Sequence, residues 1–544
     1  MSTSARSILI VGSGASGVHF ARRCLANGVA VTMLDVGNPR HRPTHPELDF
    51  ADLKAELPDP VREFLGADYS ALELPHDDSA EYYGFPPSKD YVFQSEASAD
   101  HVGRGFNPLF SHAQGGLAEA WTGGAYTFNA GDLQAFPFEP EDLAPYYDDV
   151  AQCIGITGAD DDLAQFIPLH EGLLQPLDLD ENGANLAATY EQNREKLNRR
   201  MGFFMGRSRV AVLSAEMQGR PACDKLGRCL WGCPTDAFYV PSITLQELRR
   251  HSNFNYLDGR VVEHFLFDGD GRVKDVVSRS VNDGSRCRHP VSGQLVLAAG
   301  ALSSARIYLT SLLVGEGQAP ELGGLMDNRQ VMMPFVNRSL VGKAFDPHTY
   351  QYHQLATAWH DPLDSTYVHG QITTLKTALI HPLIQSLPFG MRAAMRRFGD
   401  LHGSLGLLNI NLSDERSDQN TVSIERNGDG SARLLTSYFA SSADASRVKR
   451  AIAAASKALR ALGCLAPRAM TRVRPMGAGV HYGGLLPMTA EGSEHTVDPH
   501  GTSRRFRNLT LADAITFPAL PAKNLTFTLM ANAVRIADRL TDPS

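Results

Sequence analysis

The first residues able to do chemistry are three glycines, Gly12, Gly14 and Gly17, spaced G-x-G-x-x-G within SILIVGSGASGVHFARRCLANGVAVTMLDVG. The chemistry they suit is the binding of a pyrophosphate. Gly12 makes a tight turn, and Gly14 lets backbone N–H groups approach phosphate oxygens beside Ser16. Gly17 lets the following helix pack on its strand, and the helix N-terminus adds partial positive charge. Asp35 then stands where a carboxylate can accept both hydroxyls of an adenosine ribose. A second reactive set is Cys223, Cys229 and Cys233, spaced C-x5-C-x3-C in RPACDKLGRCLWGCPTDAFY. Three soft ligands in one loop can hold an iron–sulfur cluster, and three buried thiols can equally pack the loop.

A dinucleotide site needs a strand, a helix and a second strand to position these residues. Ile8–Val11 is an apolar run of buried-strand type, Val18–Leu25 continues as an apolar helix, and Val31–Leu34 reads as the second strand. The run QLVLAAGALSSARIYLTS repeats a strand-to-helix edge, with Ala299 and Gly300 at its turn. In HAQGGLAEAWTGGAYTF the pairs Gly115–Gly116 and Gly123–Gly124 either bring backbone close to something flat or anionic or simply turn. Asn255–Phe267 and Val273–Val281 alternate in strand fashion around a Gly-rich turn, which sets the backbone near Val262 at an adenine edge. Asn38–Asp100, rich in Pro, His, Asp and Glu, reads as an excursion wrapped over the nucleotide domain. From about Leu325 to Val473 longer strands and amphipathic helices carry no nucleotide signature, and this is the candidate substrate domain. Ala440–Leu462 is a helix there, apolar at Val448, Ile452 and Leu459. The chain closes with a strand at Leu509–Ala512, a loop, and a long helix from Thr526 to Leu540.

Whole-chain properties bound the answer. At 544 residues the chain suggests two or three domains. A formal charge of -9 argues against nucleic acid as a partner. No apolar run reaches the ~18 residues of a membrane helix, and the stretch before the first strand is too short for a signal peptide. Seven cysteines, an odd number, fit a reducing compartment better than a disulfide framework. The expected address is therefore cytoplasmic. Leu379–Phe398, apolar with Arg392, Arg396 and Arg397 near its end, reads as an internal helix pair of the substrate domain; a lid and a membrane-surface or partner-docking helix are the alternatives.

Five motifs together resemble one family, the glucose–methanol–choline (GMC) flavin oxidoreductases: GSGASG, GGLAEAWTGG, FPFEPEDLAPYYDDV, LVLAAGALSSARIYLTS, and VHYGGLLPM followed by the closing block TVDPHGTSRRFRNLTLADAITFPALPAKNLTFTLMANAVRIADRL. The resemblance implies an α/β chain, a Rossmann-like FAD-binding domain with an α+β substrate-binding domain carrying a mainly antiparallel sheet. The first would comprise residues 1–155, 205–315 and 485–544, the second 156–204 and 316–484. FAD would lie extended along Gly12, Gly14, Ser16, Gly17, Asp35, Gly115, Gly116, Trp121, Gly123, Val262, Ala299, Gly300, Asp513 and Ala514. By motif position His481 and Asn524 would face the flavin, whose N5 takes a hydride from an alcohol carbon. The chemistry makes independent sense, since a neutral imidazole suits removal of a hydroxyl proton near pH 7 and an amide can hold the same oxygen in line. Some sugar-oxidising members attach FAD through a His before the Trp of the second motif; Ala120 stands there, so the flavin is expected to be non-covalent. Similar cysteine spacing occurs in membrane-linked sugar dehydrogenases of the family that carry a three-iron cluster.

The reading is an FAD-dependent oxidation of a small-molecule alcohol, a sugar, glycoside or other natural product, with dioxygen or a redox partner as electron acceptor. The alternatives are a dehydrogenase subunit passing electrons through a cluster to a cytochrome or quinone, and a flavin-dependent lyase or non-redox flavoprotein.

Overall fold

The structure is a computed structural model that describes residues 7–41, 45–69, 85–93, 95, 100–374, 384–385, 387–427 and 432–542. Strand β1 (Ser7–Val11) is apolar after its first residue and buried, as a strand flanked on both sides within a covered parallel sheet must be. It pairs in parallel with β2 (Ala30–Leu34) on one side and with Gln294–Leu297 on the other. The whole sheet runs Leu509–Leu511, Gln294–Leu297, β1, β2, Phe254–Leu257, with every neighbour parallel. Chain order therefore reverses direction beside β1, which opens a crevice at the carboxyl ends of the strands where nucleotides bind in doubly wound folds. Helix α1 (Ala15–Ala26) buries Val18, Phe20, Ala21 and Cys24 and packs against the closing helix Thr526–Thr541.

The stretch expected to alternate from Asn255 to Phe267 is two strands. Gly259 takes a left-handed φ of +66°, and the turn there sends Phe254–Leu257 to the edge of the parallel sheet. Arg260–Phe267 instead opens a three-stranded antiparallel sheet with Val273–Ser280 and Arg286–Pro290. Period-2 alternation cannot distinguish one long strand from two that change sheets.

The largest sheet is antiparallel throughout and runs Cys464–Leu465, Arg329–Asn337, Leu405–Leu412, Tyr367–Thr374, His353–His360, Phe203–Arg207. Strand alternation gives it two unlike faces. Val331, Met333, Phe335, Leu408 and Ile410 form a core with Leu186 and with Val448, Ala455 and Leu459 of the helix Ser442–Ala461. The opposite face presents Gln330, Asn409, Asn411, His369 and Gln371, brought side by side by the registers Gln330↔Asn411 and Gln371↔Asn409. A mixed sheet of Leu322–Gly323, Thr421–Arg426, Ala432–Ser437 and His101–Arg104 completes the architecture. Parallel α/β and mainly antiparallel α+β layers are thus both present, as the sequence implies.

Candidate active site

One elongated cavity of ≈ 370 Å³ runs from the parallel sheet to the polar face of the antiparallel one. Gly12, Gly14, Ser16, Asp35, Gly115, Gly116, Trp121, Val262, Ala299, Gly300, Asp513 and Ala514 line it, and so do His481 and Asn524. Two glycines expected at the ligand do not. A Cβ on Gly17 would collide with the Gly12 carbonyl oxygen, so this glycine serves the packing of α1 on its own turn. Gly123 is backed by Phe238, whose ring a Cβ would meet at 2.8 Å. Both are needed for close approach of protein to protein, the role that the third glycine of the motif has in packing helix on strand.

The turn into α1 is built for an anion. Its N-cap, Gly14, offers no side-chain cap and the first turn holds no acid, so its N–H groups remain to be satisfied. A Cβ on Gly14 would meet nothing nearer than 4.0 Å, whereas one on Gly12 would meet Ala298 O at 2.6 Å. Open space therefore lies beside Gly14, where a phosphate would go. At the end of β2, Asp35 accepts hydrogen bonds from the Ser13 hydroxyl and, at 2.7 Å, from the Tyr256 hydroxyl. Burial pushes its carboxyl up to about 6, and those two donors pull against the rise. On the second edge, Asp513 accepts from Gly300 N–H at 3.0 Å and from the Ser304 hydroxyl, clamping the closing strand to the turn after Gln294–Leu297.

At the other end, His481 is held by two neighbours in sequence, Asp327 and Asn328. The Asp327 carboxylate accepts from Gly477 N–H at 2.8 Å and from Gly479 and His481 N–H at 2.9 Å each, folding 477–481 around itself. The residue just before the histidine, Val480, sits at φ +60°. A β-branched residue in that region is strained by ~1–3 kcal/mol, the kind of cost found where geometry is imposed for function. Asn328 amide N–H groups donate to Leu412 O and Pro521 O, both at 2.9 Å, which turns its Oδ1 toward His481 Nδ1 at 2.7 Å. An acceptor there requires Nδ1 to carry the proton, so Nε2 holds the lone pair. Burial, and secondarily the Arg474 guanidinium, lowers the imidazole to about 4. The ring is therefore neutral at pH 7 and fixed in one tautomer.

Asn524 lies in the loop before the closing helix, anchored by its neighbour Lys523. The buried Lys523 ammonium donates to Asp132, to Phe166 O at 2.6 Å and to Thr127 O at 3.2 Å. Gln371 donates from Nε2 to Asn524 Oδ1 at 2.7 Å, which leaves the Asn524 amide N–H groups as donors for the cavity. His353 also lines the cavity, but its two ring nitrogens are taken by Thr122 and Thr373 hydroxyls at 2.7 and 2.9 Å, and burial lowers it to about 3. Replacing Asn328 by Ala is expected to cut the rate of substrate oxidation by up to ~10² with little change in KM, because it frees the histidine tautomer without touching the cavity wall elsewhere. A pH–rate profile checks it: the acid limb should broaden and move.

The sequence did not single out Ser13, Asp327, Asn328, Gln330, His353, Gln371, Asn409 or Arg474. Ser13 fills a variable position of the glycine motif, and the signal available for it was that position itself. The others meet only because distant strands pair.

The three-cysteine loop packs as part of the core. Cys223, Cys229 and Cys233 are free thiols packed against the core that contains Phe238, Tyr239, Tyr350 and Tyr352. Burial, reinforced by the neighbouring thiols, raises Cys229 well above the ordinary thiol range, and Cys233 Sγ accepts from Phe238 N–H at 3.4 Å. Among the described residues no group of three His, Cys, Asp or Glu side chains is placed to hold a metal ion. The iron–sulfur cluster considered from spacing is thus unsupported.

Residues 416–533, which include His481, Asp513, Ala514 and Asn524, match the family model of the GMC oxidoreductases. Over these residues the chain is similar to the GMC oxidoreductases. Solved structures agree at the level of fold. Pyridoxine 4-oxidase from Mesorbium loti is 18% identical with a TM-score of 0.60, the match covering 98% of this chain and 99% of that one. An FAD-dependent oxidoreductase from Chaetomium thermophilum is 14% identical, with TM-score 0.60 and the same coverage. A formate oxidase is 12% identical with TM-score 0.61, covering 99% of this chain and 98% of that one. No curated protein sequence matches the chain. The uncapped helix start, the open face of Gly14 and the carboxyl of Asp35 suit FAD.

Proposed function

We propose that this oxidoreductase oxidises the hydroxyl of a small-molecule alcohol, of the sugar, glycoside or natural-product kind, to a carbonyl, with His481 as general base. Residues 1–155, 208–315 and 485–544 would form the FAD-binding domain, and 156–207 and 316–484 the substrate-binding domain; the boundary expected at 205 moves to 208 because the strand Phe203–Arg207 pairs whole with His353–His360 in the antiparallel sheet. The observation that carries the reading is a cavity-lining imidazole kept neutral and in a single tautomer, with an asparagine amide on the same cavity wall.

FAD bound along the cradle supplies a hydride acceptor at N5. The protein supplies the proton chemistry. His481 Nε2 takes the hydroxyl proton as hydride leaves the same carbon, and Asn524 donates an N–H to the oxygen to hold it in line. Because Nδ1 already donates to Asn328 Oδ1, the ring becomes imidazolium without turning. The Arg474 guanidinium, held by Gln330 Oε1 at 2.6 Å, favours the negative charge that develops on the oxygen. Dioxygen or a redox partner would then accept the electrons, and the free thiols among the described residues suit a cytoplasmic, reducing setting.

The test is anaerobic mixing with a panel of alcohols and sugars: a substrate should bleach the flavin, and a panel without a bleaching member would count against alcohol oxidation. Ala120 has no nucleophilic side chain, and the Trp121 indole N–H donates to Tyr239 O at 2.8 Å. FAD is therefore expected to be non-covalent and to appear wholly in the supernatant after acid precipitation. A washed pellet that stayed yellow would show a covalent link.

A further inference from the structure

The segment expected to form an internal helix pair lies partly outside the described residues, at 375–383 and 386; of the rest, 384–385 are helical and Met391–Leu401 is a helix. The helix Met391–Leu401 buries Ala394 and Phe398, which pack with Ile384 and contact Leu387 and Leu405. The remaining surface is unusual. Met391 and Met395, one turn apart, are 58% and 56% exposed, and Phe389 just before them is 53% exposed. Beside this apolar stripe runs a basic one, Arg392 and Arg396, also one turn apart and exposed. The helix carries three arginines and one acid; Asp400 pairs with Arg397 at 3.8 Å, and neither Arg392 nor Arg396 has an acidic partner among the described residues. The patch continues past the helix, where Gly342 N–H donates to Asp400 O at 2.7 Å and brings exposed Val341 and Lys343 alongside.

Clustered large apolar side chains at more than half exposure mark a surface that something else covers. The chain carries a formal charge of -9, so a local excess of unpaired cations beside those apolar groups is a departure from its own average. Guanidinium groups that bind phosphate, next to Phe and Met that enter the acyl boundary, are what the headgroup layer of an anionic membrane accepts from a helix lying in its plane. Among the described residues no helix is long and apolar enough to cross a membrane, so the contact would be peripheral.

We propose that Phe389 and the helix Met391–Leu401 are a membrane-docking element that seats the enzyme on an anionic phospholipid surface. The contact is independent of the substrate reading, since none of these residues lines the cavity. The experiment is co-sedimentation of the flavin-loaded enzyme with vesicles of phosphatidylcholine alone or mixed equally with phosphatidylglycerol. The enzyme should pellet with the mixed vesicles, remain in solution with phosphatidylcholine alone, and release as salt screens the arginines. Arg392→Gln with Arg396→Gln should weaken binding about 25-fold, roughly fivefold per cation. Met391→Ser with Met395→Ser should weaken it as well, and every variant should keep its melting temperature and its turnover with a soluble acceptor. Absence of binding to the mixed vesicles, or binding that survives both pairs of substitutions, overturns the proposal. A self-association or protein complex that the variants dissolve, without lipid binding, assigns the face to a protein instead and overturns it too.

Discussion

The His481→Ala enzyme is expected to purify with a full complement of flavin and to reduce it ~10²–10⁴ times more slowly than the parent, ~3–5 kcal/mol of added barrier. Flavin retention should persist because the cradle is built from Gly12, Gly14, Asp35 and Asp513, at the other end of the cavity. Loss of the ring leaves Asn328 Oδ1 without its donor, a cost of ~1–3 kcal/mol in stability, which thermal unfolding would register separately from rate. The pH dependence carries the sharper sign. In the parent the imidazole is lowered to about 4, so it is a competent base throughout neutral and mildly acidic pH, and the reduction rate should fall only as pH drops through that value. The alanine variant should lose that acid limb and recover part of its rate at high pH, where the substrate hydroxyl ionises by itself. Asn524→Ala should be milder, since it orients the hydroxyl and does not take its proton. Anaerobic stopped-flow reduction isolates this step; a His481→Ala enzyme that matched the parent rate would remove the histidine from the mechanism.

The Gly14→Val protein is expected to fold and to be colourless. Gly14 has φ -62° and ψ -177°, which valine adopts without strain, and its Cβ would stand 4.0 Å from the nearest protein atoms. The branched methyl groups would instead occupy the space in front of the uncapped N–H groups of α1. Each charge-assisted hydrogen bond from those groups to a phosphate is worth ~1.5–3 kcal/mol. Losing two of them lowers FAD affinity by at least ~10² before any steric cost is added. Gly17→Val is the contrasting case, because its Cβ would strike the Gly12 carbonyl and break the turn itself. Titration of FAD into each apoprotein, with circular dichroism as the folding control, distinguishes them. A folded Gly14→Val protein with parental FAD affinity would refute the placement of the pyrophosphate at this turn.

Much of the cradle was legible because its signals are local. β1, the glycine turn, α1, β2 and Asp35 lie within one stretch of chain, where Gly17 packs directly on the Gly12 carbonyl. The closing block was legible for a similar reason, as His481 and Asn524 stand at fixed places in a long motif. Other expectations failed where the same pattern serves two geometries. Alternation through Asn255–Phe267 looked continuous until Gly259 turned the chain into a different sheet. The cysteine spacing allowed a cluster, and packing against Phe238 and Tyr350 turned the thiols into core.

By itself, then, the sequence determined the strand, glycine turn, helix and second strand of β1, α1 and β2, with open backbone at Gly14 and a carboxyl at the end of β2. Steric limits at glycine and the periods of strand and helix suffice for that. Tertiary structure decided which nitrogen of His481 is free, because the proton on Nδ1 follows from Asn328, and Asn328 is oriented by Leu412 O and Pro521 O, which come from remote segments. It decided that Asn524 would offer its N–H groups, because Gln371 from the antiparallel sheet occupies its oxygen. Hydrogen-bond direction and burial are properties of what converges on a group, and convergence across hundreds of residues leaves no local trace in the order of the chain.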